Sequence, residues 1–314
     1  MSIISFVLPI YNEAQNIPQL WAEMQLVEKQ IIQNNSNHSC EYIFVNDGSS
    51  DNSLDELLKI YHKHTNKVKV ANFSRNHGHQ IAVTAGQDLT QGDAIIIMDT
   101  DLQDPPETCL DLITEWEKGF DIVYAQRSHY KTNFVKQTTA WAFYRILKQI
   151  ASVDIPVDTG DFRLISKRVN NEMQKYPEKA RYLRGISSLV GFKQSCVQFR
   201  RNDRFCGKTG YTFMKSLKLA LDGITGFSVF PLQLISITGF IFAFLGFLTG
   251  FVYIVSSLVF GYHTQGWASL MAAVIFLGGI QMIMLGLIGE YIGRIYVQVL
   301  DRPLYTLDKI WDKK

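Results

Sequence analysis

Gly92-Asp-Ala-Ile-Ile-Ile-Met-Asp-Thr-Asp-Leu-Gln-Asp-Pro-Pro106 is the stretch on which the fold turns. Its apolar run, residues 94–98, fits a strand buried on both faces of a sheet. The run stops at three acids, Asp99, Asp101 and Asp104, and Pro105 and Pro106 then forbid further ladder pairing. Residues two apart at a strand end point the same way, so Asp99 and Asp101 can reach one ion. Paired hard carboxylate oxygens at a cleft suit Mg²⁺ or Mn²⁺, which keep several waters and take further ligands from substrate phosphates. An isolated Asp-x-Asp also occurs as a solvated acidic loop, so the flanking sequence has to decide.

Upstream, strand and helix alternate. Residues 3–10 form an apolar strand that runs into Tyr11-Asn12-Glu13, and residues 17–32 carry Ile17, Leu20, Met24, Val27 and Ile31 at helical spacing. Residues 41–45 make a second strand, closed by Asn46-Asp47-Gly48-Ser49. A helix over residues 54–64 follows, capped by Asp51 or Ser53. Val68–Phe73 is a third strand, ending in Ser74-Arg75-Asn76, and a helix over about residues 80–89 leads back to the acidic stretch. Downstream, residues 121–125 form a further strand ending at Gln126-Arg127. Strands separated by helices imply right-handed βαβ units and a mostly parallel sheet with helices on both faces. Ligands of such sheets bind beyond the carboxyl ends of the strands. Tyr11-Asn12-Glu13, Asp47, Arg75, Asp99, Asp101 and Arg127 all stand at such ends, which argues for one site.

No G-x-G-x-x-G follows the first strand and no GxxxxGK[ST] occurs, so dinucleotide and P-loop readings lose their main support. Acids with a metal and Arg nearby suit a nucleotide diphosphate instead. The formal net charge of +2 over 314 residues argues against a nucleic-acid binder working by bulk charge. Cys40, Cys109, Cys196 and Cys206 stand far apart with no CxxC pair and read as reduced thiols. The first residues, MSIISFVLPIYNE, read as a strand and not as a signal peptide.

The near-neutral average conceals an asymmetry. Between Asp222 and Glu290 there is no Asp, Glu, Lys or Arg. Two spans fit there, about residues 231–260 and 267–289, each longer than the roughly 20 residues a helix needs to cross hydrocarbon. Arg294, Arg302, Lys309, Lys313 and Lys314 follow the second span, whereas the loop between spans has no Lys or Arg. The positive-inside rule therefore puts both ends in the cytoplasm of a multi-pass membrane protein. Residues 134–151 and 211–224 carry apolar stripes flanked by Lys and aromatics, which suits the membrane interface or packing on the sheet. An Arg cluster, Arg200, Arg201 and Arg204, stands just before the membrane segments, where it would meet the phosphate of a lipid acceptor or anionic headgroups. The expected division is a cytoplasmic domain over residues 1–205, a juxtamembrane segment over 206–228, two spans over 229–290 and a cytoplasmic tail over 291–314.

The ordered set Pro9-Ile-Tyr-Asn-Glu13, Val45-Asn-Asp-Gly-Ser49, Ser74-Arg-Asn76, Asp99-Thr-Asp-Leu-Gln-Asp-Pro-Pro106, Thr159-Gly-Asp-Phe-Arg-Leu164 and Gly289-Glu-Tyr-Ile-Gly-Arg294 covers nearly the whole chain. It resembles the family-2 glycosyltransferases that load a sugar onto polyprenyl phosphate, in the bactoprenol glucosyltransferase branch, and more distantly dolichyl-phosphate mannose synthase. The resemblance implies a nucleotide-diphospho-sugar (GT-A, Rossmann-like) fold, a divalent metal, a UDP-sugar donor, an inverting transfer and a homo-oligomer such as a tetramer. By position it implies that Pro9, Tyr11, Glu13 and Asp47 hold the nucleoside. Asp99 and Asp101 would bind metal and diphosphate, with Gln103 beside them. Asp161 would be the base, and Arg127, Arg200, Arg201 and Arg204 would serve phosphates. The acceptor phosphate is already an anion near pH 7, so Asp161 has an alternative role in orienting Arg163 or the acceptor. One departure stands out: relatives often carry Lys-Glu where this chain has His79-Gln80, which bears on the sugar pocket. The absence of any Arg-Trp pair argues against a processive polymerase. Rival readings are a membrane-anchored nucleotide-sugar-binding component of a transport complex, without catalysis, and a tethered nucleotidyltransferase, which the missing Gly-rich phosphate loop disfavours.

Overall fold

The computed structural model describes residues 2–127, 159–200, 230–260 and 266–313. The amphipathic segments at 134–151 and 211–224 lie outside them, as do Arg201 and Arg204. The chain forms two compact units: residues 1–149, 153–215 and 302–314 in one, and essentially residues 216–301 in the other.

The first unit is built on one eight-stranded sheet. Its strands are β1 (Ser2–Ile10), β2 (His38–Asn46), β3 (Val68–Phe73), β4 (Ala94–Ile97), β5 (Ile122–Arg127), β6 (Thr159–Ser166), β7 (Gln194–Phe199) and β8 (Leu307–Trp311). The order across the sheet is β7-β5-β6-β4-β1-β2-β3-β8. The pairs β1–β2, β1–β4, β2–β3 and β5–β7 are parallel, whereas β6 runs antiparallel to both neighbours and β8 antiparallel to β3. The mostly parallel sheet of the nucleotide-diphospho-sugar type is thus present, with two reversed strands.

Helices cover both faces: α1 (Ile17–Asn34), α2 (Ser53–Lys63), α3 (His79–Asp88), α4 (Thr108–Glu117), α5 (Lys167–Gln174) and α6 (Leu183–Leu189). The alternation along each strand decides which core a side chain joins. Phe6, Leu8 and Ile96 pack with Leu20 and Met24 of α1, Leu57 of α2 and Leu112 of α4. Val7, Ile95, Ile97 and Tyr124 point the other way, to Val83 of α3, Val169 of α5 and Ile186 of α6. β4 is therefore buried on both faces, as its uninterrupted apolar run requires. The start of α2 differs from expectation. Asn52 is the cap residue and gives no side-chain cap bond, while the Asp51 carboxylate accepts the Ser53 N–H at 3.0 Å.

The sheet is completed by the far end of the chain. The Ser74 N–H donates to the Thr306 carbonyl at 3.1 Å, Tyr305 stacks on Phe73 at 5.2 Å between ring centroids, and its hydroxyl donates to Asp88 at 2.9 Å.

The second unit contains α7 (Phe230–Phe260) and α8 (Trp267–Val299), 31 and 33 residues long. At 1.5 Å per residue each exceeds the roughly 30 Å of a hydrocarbon core. The windows 232–252 and 273–299 are long and apolar enough to cross a membrane, and no described residue in them is buried within the protein. The rings of Phe242 and Phe276 meet edge to face at 6.4 Å, pairing the two helices as a hairpin. Helix α8 runs ten residues past the expected end of the second span. Glu290 and Arg294, paired at 3.0 Å one turn apart, end the apolar stretch without ending the helix.

Candidate active site

The strand-end loops hold one another through side chains that accept backbone N–H groups. The N–H of Asn12, itself at φ +57°, donates to Ser49 Oγ at 2.9 Å, and its side-chain oxygen accepts the Ser50 N–H at 2.8 Å. The Glu13 N–H donates to Ser53 Oγ and the Ala14 N–H to Asp51. This latch between the loops after β1 and β2 leaves Tyr11 half exposed beside it. The Glu13 carboxylate accepts from the Asn16 amide, and the Pro9 carbonyl accepts from Thr100 Oγ1 at 3.0 Å.

Asp47 is buried, and its two oxygens accept the His77 N–H at 2.6 Å and the Gly78 N–H at 2.9 Å. Burial pushes its carboxyl above the usual range, against the pull of those two amides. It thereby fixes the loop that follows β3, where Arg75 lies exposed. Gly48 makes that approach possible. It sits at φ +63°, and a Cβ there would lie 2.5 Å from the Arg75 carbonyl carbon.

Asp99 and Asp101 are both partly exposed just past β4. Asp101 accepts the Gln103 N–H at 3.2 Å, and Leu102 between them takes φ +59°. Because β6 is antiparallel, its first residues lie at the same end as the last residues of β4. Ile97 is in register with Arg163, so Asp161 comes level with Asp99. His79, the first residue of α3, stands between them, with Nε2 3.5 Å from Asp99 Oδ1 and 3.3 Å from Asp161 Oδ2. Gln80 Nε2 donates to Asp161 Oδ2 at 3.0 Å, and Arg184 Nε donates to Asp161 Oδ1 at 2.8 Å.

Burial alone would raise the Asp161 carboxyl, but His79 and Arg184 outweigh it and hold the group well below the usual carboxylate range. Burial raises Asp99 instead; His79 pulls it back only in part, and the nearby Asp161 and Asp101 charges add to the rise. Three carboxylates therefore converge where the site sets the Arg184 guanidinium and the His79 imidazole among them.

The remaining sequence-predicted residues are spread more widely. Arg127, at the end of β5, lies over Gly160, whose absent side chain leaves room for the guanidinium. Its Nε is buried without a partner among the described residues. Arg200 follows β7 and is exposed. Two members of the site had not been picked out as site residues. Arg184 sits in a short helix with no motif around it. Arg163 was named only as a possible partner of Asp161, yet it is fully buried. It donates to Ser187 Oγ at 3.1 Å and to the Leu183 carbonyl at 3.4 Å, tying α6 to β6 and so placing Arg184 against Asp161. Gln80 supports the same helix by accepting the Leu183 N–H at 3.1 Å.

The model of the glycosyl transferase family 2 matches residues 5–174. The chain belongs to that family. A second match, to the GtrB C-terminal hairpin, covers residues 230–295. An uncharacterized glycosyltransferase of Bacillus subtilis (strain 168) is 45% identical over 97% of this chain and 93% of its own. A prophage bactoprenol glucosyl transferase homolog of Escherichia coli (strain K12) is 37% identical over 98% of this chain and 99% of its own. The bactoprenol glucosyl transferase of Shigella phage SfII is 38% identical over 98% and 97%. Among solved structures, the chain is similar to glucosyl-3-phosphoglycerate synthase from Mycobacterium tuberculosis in complex with Mn²⁺, UDP and phosphoglyceric acid. That likeness has 16% identity and a TM-score of 0.49 over 71% of this chain and 76% of the other.

In this family 2 transferase the donor set at β4 fits a hard divalent cation. Asp99 and Asp101 offer oxygens only, and the crowding of three carboxylates favours a positive ion among them. Among the described residues no three His, Cys, Asp or Glu side chains form a ready-made metal cage, so water and phosphate would supply the other ligands.

Proposed function

We propose that the protein moves a hexose, glucose or a related sugar, from a UDP-sugar to undecaprenyl or another polyprenyl phosphate at the cytoplasmic face of the membrane, for modification of cell-envelope glycans. One juxtaposition carries this reading. Asp99 and Asp101 at the end of β4 meet Asp161 at the start of β6, in a family 2 domain whose chain runs on into two membrane-length helices. The bactoprenol glucosyl transferases, alike over nearly the full chain, support the acceptor class.

Tyr11, Glu13, Pro9 and the loop held by Asp47 form the nucleoside side, with Arg75, Gln103 and Arg127 towards the diphosphate. Mg²⁺ or Mn²⁺ held by Asp99 and Asp101 would offset the charge that develops on the leaving diphosphate. An oxygen of the acceptor phosphate forms a bond to the anomeric carbon, the bond from that carbon to the donor's β-phosphate oxygen breaks, and UDP departs with the electron pair. No proton has to move, because the acceptor enters as an anion. The connectivity supports a shared membrane side for the two ends of the hairpin, since the strands before α7 and the strand after α8 belong to one sheet.

The test is purified full-length protein with undecaprenyl phosphate, Mg²⁺ and a panel of UDP-sugars, scored by the mass of the butanol-extractable lipid. The expected result is a lipid-linked hexose formed in step with UDP. UDP-sugar binding without a lipid product from any sugar would favour the non-catalytic binding component.

A further inference from the structure

Both carboxylate oxygens of Asp161 are already engaged by neighbouring donors, which makes it a poor base. Oδ1 is taken by Arg184, and Oδ2 by Gln80 with His79 3.3 Å away. What the site leaves unused is the other end of Arg184. Its Nε is bonded to Asp161, while its two Nη groups have no partner among the described residues, and about one third of the side chain is exposed. A guanidinium held at Nε presents its remaining N–H groups as a fixed fork, the geometry that binds a phosphate through two oxygens. The neighbourhood demands such a cation. A phosphate monoester approaching Asp99, Asp101 and Asp161 meets three carboxylates, and at pH 7 it carries a charge of about −1.5 to −2 itself. Of the other basic side chains, His79 is set between Asp99 and Asp161, Arg75 lies on the exposed loop after β3 and Arg127 lies over Gly160; neither Arg75 nor Arg127 is bonded to Asp161 in the structure.

We infer that Arg184 binds the phosphate of the lipid acceptor, and that Asp161 is its positioning residue and takes no proton. This rests on the proposed transfer to a polyprenyl phosphate and assigns a residue to its acceptor side. The burial of Arg163 behind Arg184 serves the same end: it anchors α6, so the fork cannot drift from β6. The balance of the reaction is unchanged. The phosphate oxygen that attacks is already ionised, and Arg184 holds the other oxygens.

The experiment uses full-length protein in neutral detergent with undecaprenyl phosphate and the best UDP-sugar. Arg184→Ala should raise the acceptor KM about ten- to a hundredfold, the loss of a charged hydrogen-bonded contact, with the affinity for UDP within about twofold. Arg184→Lys should recover only part of this, because an ammonium lacks the fork. Asp161→Asn keeps an oxygen for Arg184 Nε and should retain a tenth or more of kcat, whereas removal of a general base costs about 10²–10⁴-fold. An unchanged acceptor KM in Arg184→Ala, with wild-type transfer intact, would overturn the inference alone. If that variant does not fold, Arg184→Lys and Arg184→Gln decide the same point. Equal loss of UDP affinity and acceptor use would also overturn it, as the mark of a structural residue. Absence of transfer by the wild type would instead remove the function on which it rests.

Discussion

The strand-end loops and the membrane hairpin use their residues in opposite ways. In the loops several polar side chains accept named backbone N–H groups, from Ser49 and Asn12 to Asp47 with the His77 and Gly78 amides. In the hairpin large apolar side chains face outward: Phe244 is 66% exposed and Ile283 74%. The loops depend on where each atom sits, and the hairpin depends on length and apolar composition. A substitution should therefore be costly in the first region according to position, and in the second only if it brings in charge.

The largest effect should come from the acidic pair. Asp101→Asn removes one hard ligand and should lower kcat about 10²–10³-fold, the cost of losing one preorganised electrostatic contact, with the melting temperature little changed. Full turnover of metal-free protein in excess EDTA would break the assignment of Asp99 and Asp101 to a cation. Next comes Gly48→Ala. Its φ of +63° and a Cβ 2.5 Å from the Arg75 backbone should cost about 1–3 kcal/mol from the conformation alone, and more from the clash. Chemical denaturation reads this directly; an unchanged midpoint would mean that the loop after β3 can move aside. The smallest effect belongs to the hairpin. Phe244→Leu should alter stability and transfer by less than about 0.5 kcal/mol, whereas Phe244→Asp should cost about 3–4 kcal/mol of membrane insertion. Equal tolerance of Leu and Asp in a membrane-integration assay would contradict a lipid-facing position.

The same contrast explains what could be read from the sequence. Apolar runs between turn residues mark β1 to β5, because a strand buried on both faces admits little else. The charge-free stretch marks the hairpin for the same compositional reason. The Asp99–Asp101 pair is local and equally legible. The direction of β6 is not, since Thr159–Ser166 follows a long connection and only pairing with β4 and β5 fixes its orientation. Arg184 was missed because its role depends on Asp161, 23 residues away, and on a buried Arg163 that composition would have placed at the surface. His79-Gln80 was visible as a departure from relatives, but its consequence, two side chains that bond or face one carboxylate, needed the three-dimensional arrangement.

The pairing of β8 with β3 also sets an order of events in biogenesis. A chain made from its N-terminus presents β1 to β7 first, and domains generally fold as they emerge. Yet residues 307–311 lie beyond both membrane-length helices, so they leave the ribosome only after both have been made. Until then the outer edge of β3 shows unpaired N–H and C=O groups, the kind of edge that recruits stray strands. Tyr305, reaching both Phe73 and Asp88, closes that edge only after the hairpin has been made. The sheet is therefore finished by a strand that follows the two helices in the chain, and a polypeptide that stalls before residue 307 keeps a sticky flank.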